Sequence, residues 1–181
     1  GKILDVGAGS GCHTLALRKM GKEALAIDIS PWSVKVMEAR GLTARQVNLF
    51  DERFTERFDT ILMLMNGSGI IGRLERMGDF FRRIRQLLNP GGQILMDSSD
   101  LRYLFEDEDG SYLVNLAGNY YGEIDFRMQY KQVKGDSFDW LYVDFDTLSA
   151  YAAQCGFRAE CIQEGSHYDY LARLTVTDEA L

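Results

Sequence analysis

Apolar and polar positions fall into blocks along this chain. Short unbroken apolar runs, which suit strands covered on both faces, are separated by stretches with apolar residues at three- and four-residue steps, which suit amphipathic helices. Ile3, Leu4 and Val6 form the first run, a helix over about Cys12 to Met20 follows, and Gly21 stands at its stop. Ala24 to Ile27 is the second run and ends in Asp28. Ser30 then Pro31 starts a second helix, as an N-cap followed by proline in the first helical position, and Gly41 stops it after Arg40. A third strand lies near Ala44 to Leu49, and the nearly continuous run FDTILMLM from Phe58 to Met65 suits a buried parallel strand.

From Ile70 the apolar positions recur at Leu74, Met77, Phe81, Ile84 and Leu88, with Arg73, Arg76, Arg83 and Arg85 mostly off that stripe. This predicts one amphipathic helix starting near Ile70, stopped by Asn89, Pro90, Gly91 and Gly92, and a fifth strand over Gln93 to Met96 that ends at Asp97. Strands and helices alternating at this rhythm imply an open parallel sheet with helices on both faces. The pattern then changes. Residues 98–122 are polar and aromatic, with an acidic cluster at Glu106, Asp107, Glu108 and Asp109, and read as an insertion with some helix. Ile124, Phe126, Met128 and Tyr130 alternate with polar residues, as do Phe138, Trp140 and Tyr142 after a turn at Gly135 and Asp136, which is a hairpin pattern. A last helix is expected over Thr147 to Gln154. An antiparallel pair, Phe157 to Gln163 and Tyr168 to Val176, then closes the chain through a tight turn at Gly165 and Ser166.

A length of 181 residues with 46% hydrophobic content predicts a single domain spanning 1–181. The formal net charge of −7 speaks against a protein whose main task is gripping nucleic-acid phosphates. No apolar run is long enough to suggest a membrane span, so a soluble protein is expected. Cys12, Cys155 and Cys161 lack any CxxC spacing, which points away from disulfides and zinc and towards a cytoplasmic setting. The chain begins without Met and almost directly in its first strand, which leads us to expect a further N-terminal segment that contributes to the sheet face or the substrate site.

The chemistry starts in ILDVGAGSG, Ile3 to Gly11, where a strand meets a turn with glycine at every second position. Such glycines permit positive φ and close approach of a ligand to the main chain. The dinucleotide-binding fingerprint asks for Gly or Ala where Cys12 stands, which weakens a dehydrogenase reading. Asp28 lies about 20 residues beyond Gly9, the offset at which a strand-end acid meets a ribose. The loop Gly67 to Gly72, GSGIIG, also fits GxGxxG but has no acid at that offset, and is expected to form the opposite wall of one crevice.

DVGAGSG at Asp5 to Gly11, Asp28 at the second strand end, FDTI from Phe58 and LLNPGG from Leu87 to Gly92 together resemble a class I S-adenosylmethionine-dependent methyltransferase. The likeness covers Gly1 to about Asp97, and beyond that it is topological. It implies a Rossmann-like three-layer αβα sandwich with a mostly parallel seven-stranded sheet in the order 3-2-1-4-5-7-6, strand 7 antiparallel. The hairpin-containing insertion, residues 98–145, follows strand 5 as a substrate lid. S-adenosylmethionine is the implied cofactor. Asp28 is the candidate for its ribose hydroxyls, and Asp5 with the amides of Gly7, Ala8 and Gly9 the candidates for its amino-acid tail and the turn geometry, Asp5 being equally readable as structural. Ile29 is placed on the adenine face, Asn48 and the Leu49 amide at the adenine edge, and Asn66 near the methionine part. Many family members carry Asp where Asn48 stands. Tyr120 and Tyr121 are the preferred acceptor-pocket residues within the aromatic insertion.

No nucleophile or metal constellation stands out, and displacement at a sulfonium methyl requires none. His13 and His167, the sole histidines, are weak candidates for a general base. The function expected is methyl transfer to an O, N or C atom of a small molecule. Nucleic-acid amino-group methylation would want a Pro-Pro-aromatic motif after Asn66, where Gly67 stands. An NAD(P)-dependent oxidoreductase and a non-catalytic cofactor-binding domain are the alternatives.

Overall fold

A computed structural model describes residues 1–107, 109–112 and 118–177. Glu108 of the acidic cluster and positions 113–117 of the insertion lie outside the described residues. The first half alternates β1 (Ile3–Val6), α1 (Cys12–Lys19), β2 (Ala24–Asp28), α2 (Pro31–Ala39), β3 (Ala44–Gln46), β4 (Phe58–Met63), α3 (Met77–Leu87) and β5 (Leu88–Ser99). The second half holds β6 (Glu123–Tyr130), β7 (Val133–Leu141), α4 (Phe145–Gln154), β8 (Phe157–Glu164) and β9 (Asp169–Val176). Seven strands form one sheet in the order β3-β2-β1-β4-β5-β9-β8. β1 to β5 pair in parallel, while β9 runs antiparallel to both β5 and β8. The expected order 3-2-1-4-5-7-6 is therefore realised, with β8 and β9 as its sixth and seventh strands. β6 and β7 form a separate antiparallel hairpin between β5 and α4.

Strand alternation divides the core. Leu25 and Ile27 of β2 join the large apolar cluster built with Phe80, Phe81 and Ile84 of α3 and Leu148 of α4. Ala26, between them, joins a smaller cluster with Val34 and Met37 of α2. Neighbouring residues of a strand point to opposite faces, so the sheet carries helices on both sides. The helix starts follow their capping chemistry. The Ser30 hydroxyl accepts from the Ser33 amide at 3.3 Å with Pro31 in the first turn, and Asp144 caps α4 by accepting from the Thr147 amide at 2.9 Å.

The helix expected from Ile70 begins only at Met77. Two 3₁₀ turns, Gly67–Ile71 and Leu74–Arg76, occupy the earlier stretch, because Gly72 adopts φ 85° and Arg73 is extended. A 3₁₀ turn spaces side chains nearly as an α-helix does, so the apolar stripe persisted where the helix did not. β4 stops at Met63, two residues early, since Met65 and Asn66 both have positive φ. β3 is likewise shorter than the apolar run suggested, and β5 is longer, with Ser98 and Ser99 paired to β9.

Candidate functional site

β1 pairs with β2 on one side and β4 on the other, so the connections after β1 and β4 leave in opposite directions and open a crevice at the carboxyl ends of the strands. That crevice has a volume of about 480 Å³. Val6 and Gly7 stand on one side of it and Leu64 and Met65 on the other.

The β1 turn is held from within. The amides of Gly7 and Ala8 both donate to the Ile27 carbonyl, at 2.9 and 3.1 Å, and the Gly9 amide donates to Asp28 Oδ2 at 2.8 Å. The three amides expected to meet a ligand are thus spent on the loop itself, and the glycines serve its geometry, with φ of 67° at Gly7 and 56° at Gly9. Asp28 Oδ1 accepts from the Ser30 amide at 2.8 Å. Each carboxylate oxygen is therefore fixed by one amide and keeps acceptor capacity, and Asp28 lines the crevice. Asp5 does not. It is 1% exposed and accepts from the Thr14 amide at 3.2 Å and hydroxyl at 2.6 Å, tying α1 to β1. Burial pushes its carboxyl above the ordinary value against the lowering effects of Thr14 and His13. These contacts are those of a structural role, joining α1 to the end of β1.

Ile29, Val47, Asn48, Leu49 and Phe50 continue the same wall. Asn48 Oδ1 accepts from the Phe50 amide at 2.9 Å, which shapes the turn. Behind the turn lies Arg83 of α3, which no periodicity singled out. Its Nε donates to the Leu49 carbonyl at 2.7 Å, its Nη2 to the carbonyls of Asp51 (2.8 Å) and Phe54, and its Nη1 to Gln86 at 3.0 Å. Burial lowers its pKa, against the raising charges of Glu52 and Asp51. The guanidinium fork matches carbonyls that diverge from one loop.

The opposite wall belongs to β4, β5 and the hairpin. Asp97, at the end of the core of β5, accepts from the Met65 amide through Oδ2 and from the Gly67 amide through Oδ1, both at 3.1 Å. Asn66 sits between them at φ 58°, and its Oδ1 accepts from the Ser99 hydroxyl at 2.9 Å. The loop Gly67 to Gly72 does face the crevice, through Gly67, Gly69 and Ile70. Ile70 crosses to the other wall, where its Cδ1 would lie 2.7 Å from a Cβ at Gly7. Arg76 and, from β7, Phe138, Asp139 and Trp140 complete the lining.

Tyr120 and Tyr121 lie outside that lining. The Tyr120 hydroxyl donates to Asp144 Oδ2 at 2.5 Å and accepts from the Asp144 amide at 2.9 Å. The Tyr121 hydroxyl lies 2.8 Å from Asp100 Oδ1 and 3.0 Å from Asp144 Oδ2. Burial holds both phenols well above their ordinary pKa. For Asp144 burial acts in the raising direction, but hydrogen bonds from Tyr120, Thr147 and Tyr121 together hold its carboxyl below the usual range. His13 and His167 line no part of the crevice. Among the described residues no group of three or more His, Cys, Asp or Glu could hold a metal ion.

A methyltransferase-domain family model matches residues 4–94. An S-adenosylmethionine-dependent methyltransferase from Bacteroides fragilis, solved with S-adenosyl-L-homocysteine, is 74% identical and superposes with a TM-score of 0.92 over 98% of this chain and 73% of that one. The chain belongs to the class I S-adenosylmethionine-dependent methyltransferases. S-adenosylmethionine is accordingly its cofactor class, and the nicotinamide-dependent alternative is set aside. A cypemycin N-terminal methyltransferase from a Streptomyces species is 29% identical over 102 residues, a match spanning 54% of this chain and 42% of that enzyme. The sugar N-methyltransferase KedS8 of a Streptoalloteichus species shares the fold, with a TM-score of 0.67 at 17% identity over 98% of this chain and 80% of that one. Among the described residues of this methyltransferase, no helix is long and apolar enough to cross a membrane.

Proposed function

We propose that this protein transfers the sulfonium methyl of S-adenosylmethionine to an O, N or C atom of a small-molecule acceptor. The observation that carries this reading is Asp28, a carboxylate oriented by two backbone amides at the rim of an otherwise largely apolar crevice. The residues present fit the cofactor. Asp28 retains lone pairs for two ribose hydroxyls, Ile29 offers apolar surface to an adenine, and the Asn48 side chain and Leu49 amide stand at the adenine edge. Gly9 leaves open space where a Cβ would otherwise project, beside which the amino-acid tail can lie. Asp5, Ala8 and Gly9 support this wall from behind, and Asn66 turns the chain at the methionine end.

When bound, the cofactor supplies a methyl group on a positive sulfur whose leaving group is a neutral thioether. The protein's own residues need to align the reactants and exclude water. Asp97 fixes the loop after β4 for that purpose, and the insertion, residues 98–145 of a single 1–181 domain, acts as the lid. Tyr120 and Tyr121 brace the acceptor side through Asp144. The net charge of −7 and the absence of a Pro-Pro motif after Asn66 favour a small metabolite over nucleic acid. Three cysteines outside any disulfide suit a cytoplasmic setting.

Calorimetric titration with S-adenosylmethionine, S-adenosylhomocysteine, NAD and NADP, followed by release of S-adenosylhomocysteine on panels of small hydroxyl, amine and activated-carbon acceptors, tests the proposal. Tight binding of the first two alone, with turnover on one panel, is expected. Binding of a nicotinamide cofactor instead overturns it, and binding without turnover on every panel leaves a non-catalytic domain.

A further inference from the structure

The insertion does more at the crevice than cover an acceptor. β7 lies along the loop Gly67 to Gly72 and presents Phe138 and Trp140 to the same crevice as Gly7 and Asp28. The indole of Trp140 is seated directly on the Gly69 backbone, so that a Cβ at Gly69 would overlap its ring. Arg73 draws the hairpin into this position. Its guanidinium reaches Asp139 of β7 at 2.6 Å, Asp125 of β6 at 2.5 Å and Glu123 at 3.4 Å, while the Leu74 amide donates to Glu123 at 2.7 Å. Hydrogen bonding to Asp139 leads the effects that, against burial, raise the Arg73 pKa, so the clamp keeps its charge. On the far side Ser68 donates to the Leu141 carbonyl at 2.8 Å, which fixes the end of β7.

We propose that Trp140 contacts the bound cofactor and that Arg73 is the positioning residue that holds Trp140 against Gly69 to do so. This rests on the cofactor assignment above. A guanidinium shared by three carboxylates from both hairpin strands ties the two strands and the loop into one unit. Removing it frees β7 at Asp139, beside Trp140, while the Ser68 anchor remains at Leu141.

The test uses a Trp32→Phe background, in which Trp140 is the remaining tryptophan; Trp32 is exposed on α2 and lines no part of the crevice. Titration with S-adenosylhomocysteine is followed in parallel by calorimetry and by tryptophan emission. Emission is expected to change and to saturate with the calorimetric signal. Heat of binding with unchanged emission overturns the Trp140 contact while leaving the cofactor assignment intact, whereas no binding at all defeats both. Adding Arg73→Gln is expected to raise the dissociation constant about five-fold and to shift the emission of the unliganded protein to longer wavelength, with Arg73→Lys recovering part of each. A folded Arg73→Gln protein with unaltered affinity and emission overturns the positioning role. Should that protein fail to fold, Asp139→Asn is expected to give the same two shifts at smaller size, and their absence overturns the role equally.

Discussion

The two walls of the crevice are built by different means. On the β1–β2–β3 wall the controlling contacts are mostly short in sequence: Asp28 with Ser30 and Asn48 with Phe50 are two residues apart, and Gly9 with Asp28 nineteen. On the β4–hairpin wall, Asp97 with Met65 spans 32 residues, Arg73 with Asp139 spans 66, and Ser68 with Leu141 spans 73. The first wall is therefore shaped largely by turns that form as each βα unit forms. The second combines the loop after β4, held by Asp97, with the insertion, whose β7 completes it. A ligand grip placed on the first wall is preorganised by local chemistry, while the second can vary with the insertion without disturbing that grip.

Arg83 is the exception on the near wall, a long-range brace behind a local turn, and its loss should have the largest effect. Arg83→Ala removes the side-chain donor to the carbonyls of Leu49, Asp51 and Phe54, of which Asp51 keeps the Phe54 amide, and is expected to lower stability by about 3 kcal/mol at roughly 1 kcal/mol for each lost hydrogen bond. Urea denaturation of the two proteins measures it. A loss below about 1 kcal/mol would mean that the loop reorganises to water and that the near wall is local after all. Next is Asp28→Ala, which is expected to weaken S-adenosylhomocysteine binding by about 2 kcal/mol, roughly 30-fold, as loss of charge-assisted hydrogen bonds would. Unchanged affinity by calorimetry would remove Asp28 from the cofactor site. Asp97→Asn probes the far wall at smaller scale. The amide keeps one acceptor oxygen for the Met65 and Gly67 amides, so a loss of about 1 kcal/mol in thermal or urea stability is expected.

The same division explains what the amino-acid sequence disclosed. The sheet order, the glycine turn and Asp28 follow from local runs, spacings and the family likeness they carry. The register of Ile29, Asn48 and Leu49 along the crevice came with them. Arg83 was hidden because its guanidinium lies off the apolar stripe of α3, and a periodicity argument assigns such a residue to solvent. Nothing local marks the three carbonyls that bury it. The helix start was misplaced by seven residues because a 3₁₀ turn mimics the helical stripe and only the backbone at Gly72 and Arg73 reveals the break. Trp140 was visible as one alternating aromatic of a hairpin. Its seat on Gly69 depends on where the hairpin docks, which is a long-range contact. The glycine-loop amides, expected to serve the ligand's tail and the turn geometry, bond to Ile27 and Asp28, since the pairing of β1 with β2 carries those acceptors to the turn.

The smallest effect should come from the tyrosine pair, which lies beyond the far wall and outside the crevice. Because hydrogen bonds hold the Asp144 carboxyl below its ordinary value of 3.8, the folded state binds fewer protons there than the unfolded chain. Its contribution to stability is complete above that ordinary value and is lost as pH falls through the lower folded value. The two phenols shift the other way. Their folded values lie above the ordinary 10, so their contribution is complete below it and declines as the solution becomes more alkaline. Tyr120→Phe removes the shortest bond to Asp144 and is expected to cost under about 1 kcal/mol near neutrality. It should also flatten the acid limb of the stability profile, because less of the Asp144 shift remains to be titrated. Urea midpoints across acid, neutral and alkaline buffers measure both features. An acid limb as steep as that of the unaltered protein would show that Thr147 and Tyr121 alone hold Asp144, and that Tyr120 is set there by packing against Tyr121, whose ring centroid lies 4.5 Å away.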